Sequence, residues 1–180
     1  MKPINVYLAA DTLTPPREEV VPALVDQGHC VYDPVRPLTV EQLEAGVSPD
    51  ASSASSRFSW SGLSENYGRD LSSREVRDAL SDPDLVRSYD RDLAAMRWCD
   101  VVILVLPSPE GAMLAAGYAV GLRKRVYAFM PDGVADTWLS MFDQVLVSER
   151  ELADLLADLS ERQVAVEAVK QRLMDDGDYE

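Results

Sequence analysis

Short apolar runs alternate with longer segments of helical periodicity along most of this chain. The most apolar run, VVILVL at 101–106, has no polar position, which is typical of a strand covered on both faces of a parallel sheet. Further strands are predicted at 4–9, 29–32, 125–130 and 144–147. Because helical segments separate these runs, the pattern predicts a single α/β domain built around a five-stranded parallel sheet.

The ends of the helical segments define the organisation of the chain. A helix over 17–27 is predicted to follow a Pro-Pro pair and to end at Gly28. Helical periodicity also covers 149–174, and we expect the terminal DDGDYE to fray. The chain therefore divides into an α/β domain over 1–158 and a helical tail over 159–180.

A long segment without a regular pattern interrupts the alternation of strands and helices between residues 34 and 72. A segment of this length inside one domain is usually functional or disordered. Its central part, an inserted loop at about 38–66, contains the small-residue stretch ASSASS and the aromatic residues Phe58 and Trp60. These aromatic side chains either anchor the loop against the core or belong to a flap over a site.

Composition narrows the classes of function. The 180 residues suffice for one domain, and no apolar run has the length of a membrane-spanning helix. A net charge of −14 argues against binding of nucleic acid or anionic membranes. Two cysteines in apolar segments and a start unlike a signal peptide favour a cytoplasmic location. The single histidine, His29, excludes a multi-histidine metal site, and no metal or cofactor is expected.

The loop after the apolar run at 101–106 is the first candidate site. Parallel sheets bind ligands beyond the carboxyl ends of their strands, and residues 108–111 would begin a helix there, with backbone N–H groups that favour an anion. The following helix is rich in alanine and glycine, which also fits close packing on the sheet without any ligand. No glycine-rich nucleotide-phosphate motif is present in the sequence.

The second candidate site lies on the helix predicted over 85–99. Its apolar stripe consists of Leu85, Tyr89, Leu93 and Met96. Asp92 lies beside this stripe at the boundary of the core, where a carboxyl group is a candidate proton donor. The alternative is a solvated carboxylate that pairs with Arg91 or Arg97.

Several of these segments resemble the nucleoside 2-deoxyribosyltransferase superfamily, including its nucleotide N-glycosidase members. The resemblance is carried by DLAAMRWCDVVILVLPS at 92–108 and LAAGYAVGLRKRV at 114–126, with VYLAA at 6–10 and YDPVRP at 32–37. It covers roughly residues 4–158. It implies a flavodoxin-like, Rossmann-like three-layer sandwich. It also implies cleavage of the bond between a nucleobase and a sugar, in which a glutamate attacks the sugar and an aspartate protonates the base.

The same resemblance assigns roles to individual positions. Asp92 matches the active-site aspartate, and Tyr7 lies where the first strand offers a residue to the sugar or base. The loop that holds sugar hydroxyls or a 5′-phosphate corresponds to residues that include Ser108, Glu110 and Gly111.

One position departs from the family pattern. Gly117 matches the glycine that follows the nucleophile by two positions, which puts Ala115 where the glutamate belongs. Three explanations remain open: an engineered inactive variant, a natural relative that binds without cleaving, or replacement by Glu110, which lies about 7.5 Å away along the helix axis. Whether the chain is an enzyme is therefore open, and a nucleoside-binding sensor or sequestering protein is the alternative.

The sequence and the family resemblance together suggest the class of ligand and the oligomeric state. The segment after the first strand, ADTLTP at 10–15, is not rich in glycine, so a free nucleoside is at least as well favoured as a 5′-monophosphate. Phe58 and Trp60 would either stack on the base or bury the insertion. The family also implies a homo-oligomer with sites near subunit boundaries.

Overall fold

A parallel sheet of five strands forms the centre of the molecule. The computed structural model describes residues 3–10, 15–45, 70–133 and 137–175. The strands are β1 (Asn5–Ala9), β2 (Cys30–Tyr32), β3 (Val101–Val105), β4 (Arg125–Phe129) and β5 (Gln144–Leu146). All neighbouring strands pair in parallel in the order β2-β1-β3-β4-β5, which is the flavodoxin-like order. The sequence prediction of an α/β fold with five parallel strands is confirmed.

Six α-helices and one 3-10 helix accompany the strands in the described part of the chain, and the last of them follows β5. They are α1 (Pro15–Asp26), α2 (Val40–Glu44), α3 (Ser73–Ala79), α4 (Pro83–Trp98), α5 (Glu110–Gly121), a 3-10 helix (Thr137–Met141) and α6 (Glu149–Asp175). Helix α6 is continuous through residues 158 and 159, where the sequence suggested that a tail begins. No helix among the described residues is long and apolar enough to span a membrane.

Local signals account for the ends of two helices. Gly28 has a φ of +82°, and the N–H groups of Gly28 and His29 donate to Val25 and Leu24, which is the Schellman arrangement that closes α1. Helix α2 begins at a capping box formed by Thr39 and Gln42. The segment predicted as an inserted loop thus starts with a helix. Phe58 and Trp60 lie outside the described residues.

The helices cover both faces of the sheet and produce two separate cores. On one face, α4 and α5 pack over Val102 and Leu104 of β3. On the other face, α1 and α6 pack over Val101, Ile103 and Val105. Because every second residue of a strand points to the same face, a strand buried on both faces is apolar throughout. The resulting three-layer sandwich explains the uniformly apolar run.

Helix α5 contacts the sheet through its alanines. Ala112, Ala116 and Ala119 are buried against the strands. The alanine and glycine content of this helix favoured close packing on the sheet, but its glycines Gly117 and Gly121 do not provide it. An added Cβ on Gly117 would come no closer than 4.0 Å to a side chain, and one on Gly121 would meet open space.

Candidate functional site

A cleft of about 350 Å³ opens between α4 and α5. The strand order changes direction between β1 and β3, which is where open parallel sheets bind ligands. Strand β1 contributes one side chain to the cleft, and the two helices contribute the others. The lining residues in the described part of the chain are Tyr7, Tyr89, Asp92, Leu93, Met96, Gly111, Leu114, Ala115 and Tyr118.

Asp92 lies on α4 with its carboxyl group half-buried beside the cleft. The hydroxyl of Tyr32 donates a hydrogen bond to Asp92 Oδ1 over 2.5 Å. Tyr32 is fully buried on β2, and its ring stacks on Tyr7 with the ring centroids 5.3 Å apart. Burial raises the pKa of Tyr32, and the nearby charge of Asp92 raises it further, so Tyr32 retains its proton.

Tyr32 was missed as a partner of Asp92 by the sequence analysis, which considered Arg91 and Arg97. Tyr32 precedes Asp92 by 60 positions, so no local pattern links them. They meet because β2 lies beside β1 on the sheet and α4 packs against β1.

The apolar stripe of α4 was expected to face the core, but only part of it does. Met96 is buried as predicted, but Tyr89 is 60% exposed and lines the cleft with Leu93. On α5, Leu114 and Tyr118 line the opposite wall and are also exposed. The spacing of Gly111, Leu114, Ala115 and Tyr118 along one helical face is the signal that identifies this wall.

Of the residues predicted to hold the sugar after β3, only Gly111, on the first turn of α5, lines the cleft. Gly111 lines it, whereas Glu110 is exposed at the start of α5 and is outside the lining. The Oγ atom of Ser108 is buried and has no hydrogen-bond partner among the described residues. Gly117 also lies outside the cleft and is closest to Met141.

Ala115 and Asp92 line the same cleft from opposite helices. Within the described lining, Asp92 has the one carboxylate, and the remaining side chains are apolar or aromatic. Retaining glycosyl transfer uses two carboxylates, one as acid and one as nucleophile. The described lining is therefore apolar and aromatic with one carboxylate, and it holds no second carboxylate for covalent attack.

The histidine and the buried cysteine, which could also be reactive, lie in the interior and do not line the cleft. His29 Nδ1 accepts a hydrogen bond from the Ile4 N–H over 3.3 Å, and burial lowers the pKa of His29. Burial raises the pKa of the Cys99 thiol to about 11, which disfavours the reactive thiolate. The described ranges contain no group of three or more potential metal ligands.

Comparison with protein-family models and with curated proteins finds no significant match to this chain. The resemblance to nucleoside deoxyribosyltransferases therefore rests on the sequence motifs alone.

Proposed function

We propose that this chain binds a nucleoside, a nucleotide or a related N-riboside in the cleft between α4 and α5. The observation that carries the proposal is that Asp92 and Ala115 line one cleft with Tyr7 and Gly111. These positions correspond to the acid, the nucleophile, the first-strand residue and the sugar loop of the resembled family.

The chemistry of the lining supports this class of ligand. Aromatic and apolar side chains pack against the faces of a base, and a carboxylate accepts hydrogen bonds from its N–H groups. Tyr7, Tyr89 and Tyr118 provide aromatic surface, and Asp92 provides the carboxylate. A cytoplasmic location agrees with the two free cysteines.

Cleavage of the N-glycosidic bond is expected to be slow or absent. The methyl group of Ala115 can neither attack the sugar nor carry charge, and Glu110 is outside the lining of the cleft. The loss of a covalent nucleophile typically costs several orders of magnitude in rate. A sensor or a sequestering protein is therefore the function that the cleft supports best.

Titration calorimetry with a panel of ribonucleosides, deoxyribonucleosides and their 5′-monophosphates tests the proposal. We expect at least one compound to bind with a dissociation constant below about 1 mM. Asp92→Asn should weaken that binding about tenfold, since it removes the charge that accepts a hydrogen bond. Asp90→Asn, at an exposed position of the same helix, is the matched control. If no compound in the panel binds, the proposal is wrong.

Ala115→Glu tests the relation to N-glycosyl transfer. If the other residues of the cleft still support glycosyl transfer, the variant should release free base from a bound nucleoside. Chromatography measures this release, and the original chain should release little or none. Ala94→Glu, at an exposed position of α4, controls for the added charge. Binding without any base release in Ala115→Glu would mean that the rest of the pocket has also lost its competence for glycosyl transfer.

Self-association is part of the proposal, because the resembled family forms oligomers with sites near subunit boundaries. The mouth of the cleft carries exposed apolar side chains, with Leu114 76% and Tyr89 60% exposed. Leu114→Lys should shift a dimer or higher oligomer toward monomer in sedimentation velocity. Val164→Lys on α6, where the valine is 49% exposed, should not. A monomer for the original chain at all concentrations would contradict this part.

A further inference from the structure

Tyr32 does not line the cleft itself, but it contacts two residues that do, Tyr7 and Asp92. The side chain of Tyr32 is fully buried on β2 and is not part of the cleft lining. Its hydroxyl donates a hydrogen bond to Asp92, which is part of the lining. A buried tyrosine hydroxyl normally requires a partner, since an unsatisfied buried donor is destabilising. The hydrogen bond therefore joins the closed interior of the sheet to the surface that a ligand would meet.

The ring of Tyr32 is held firmly in place. Tyr7 and Tyr32 are paired neighbours on adjacent parallel strands. Their rings stack at an interplanar angle of 23°, and Tyr7 itself lines the cleft. Because both rings are almost completely buried in a packed core, the Tyr32 hydroxyl is a fixed point beneath the cleft.

A fixed donor restricts the carboxylate above it. An aspartate on a helix has two side-chain torsions, and a hydrogen bond of 2.5 Å to an immobile hydroxyl limits both. Because Tyr32 donates, Asp92 Oδ1 is an acceptor in this pair. The carboxylate that lines the cleft is accordingly held in one orientation, and it matches a ligand that presents an N–H donor.

We infer that Tyr32 is a positioning residue that holds the Asp92 carboxylate toward an N–H donor of the ligand. The part of this inference that concerns the ligand rests on the proposed function. The part that concerns the positioning of Asp92 by Tyr32 does not depend on it. Tyr32→Phe is the decisive change, because it retains the stacked ring and removes only the hydroxyl. Tyr127→Phe, at another buried tyrosine that lies in the opposite core, is the matched control.

The first measurement needs no ligand. In the full chain with labelled tyrosine, proton NMR should show a slowly exchanging, low-field hydroxyl signal that disappears in Tyr32→Phe and shifts in Asp92→Asn. In the chain with labelled aspartate, the infrared carboxylate band assigned to Asp92 should shift in Tyr32→Phe and remain unchanged in Tyr127→Phe. An unchanged Asp92 band in a folded Tyr32→Phe variant would overturn the inference.

The second measurement uses the compound that binds most tightly in the calorimetric panel. Tyr32→Phe should weaken its binding about tenfold, and Tyr127→Phe less than about twofold. A further loss should be absent when Tyr32→Phe is added to Asp92→Asn, because both act through one carboxylate. A folded Tyr32→Phe variant that binds this compound normally would overturn the inference.

Failure of the two proposals can be distinguished. If no compound in the panel binds the original chain, the proposed function fails, and the NMR and infrared signals still decide whether Tyr32 positions Asp92. If compounds bind but the Asp92 band ignores the loss of the hydroxyl, only the role of Tyr32 is refuted.

Discussion

Replacement of Asp33 by Asn tests the ion pair that joins α1 to the end of β2. Arg17 and Asp33 are 4% and 1% exposed, so both charges are almost completely removed from water. The guanidinium contacts the carboxylate twice, with Arg17 Nε donating to Asp33 Oδ1 over 3.2 Å and Nη2 donating to Oδ2. The N–H of Val35 also donates to Asp33 Oδ1 over 3.0 Å.

The expected loss of stability follows from this burial. Removing one partner of a buried pair leaves the other charge uncompensated, which typically costs about 3–5 kcal/mol. For a chain of this size, that loss corresponds to a decrease in Tm of about 6–20 °C. The double variant Arg17→Met with Asp33→Leu should recover more than half of the loss, because neither charge then remains in the core.

Urea unfolding followed by circular dichroism measures these differences at pH 7. The control is Asp158→Asn, which removes one partner of the exposed Arg162–Asp158 pair on α6 and should cost less than about 1 kcal/mol. If Asp33→Asn costs no more than this control, the assignment of a buried, stabilising ion pair is refuted. If the double variant is less stable than Asp33→Asn, the cause of the loss is not an unpaired charge.

Three further predictions follow from single residues. Gly28→Ala should cost about 1 kcal/mol in urea unfolding, because Gly28 has a φ of +82°, whereas Gly121→Ala should be neutral or stabilising; equal effects would contradict the role of backbone conformation. Burial lowers the pKa of His29 below 6.5, so the unfolded chain takes up the proton first and stability should fall as pH drops below 6.5. This fall, at most about 1.4 kcal/mol per pH unit, should diminish in His29→Gln, and an identical pH dependence in both proteins would exclude His29 as its source. The pKa of Tyr32 is raised by burial and then by Asp92, so its ring signal in carbon NMR should show no titration up to about pH 11, and a titration below that pH would contradict its burial beside Asp92.

Much of the fold was predictable because its signals are local. A strand buried on both faces is apolar at every position, and VVILVL shows this without any knowledge of its neighbours. Glycine is favoured at the left-handed position that closes a helix, so a glycine directly after the helical run marked the end of α1 at Gly28. The boundaries of α1, α4 and α5 agreed with the prediction to within about two residues.

The candidate site was predictable only in part. Asp92, Tyr7, Gly111 and Ala115 were selected from motifs, and the structure brings them to one cleft. Tyr89 belongs to an apolar stripe whose helical spacing is typical of a core-facing surface, yet it is exposed at the mouth of the cleft. Periodicity identifies a helical face but does not reveal whether that face meets another element or an open space.

By itself, the amino-acid sequence determined the five strands and the principal helices. It also determined that position 115 holds an alanine and not a carboxylate that could act together with Asp92. Only the tertiary structure decided that Tyr32 donates a hydrogen bond to Asp92 and that Glu110 is outside the cleft lining. The physical reason is that strand and helix formation depend on neighbours along the chain. A hydrogen bond between residues 60 positions apart depends instead on strand order and on the helix packed above it.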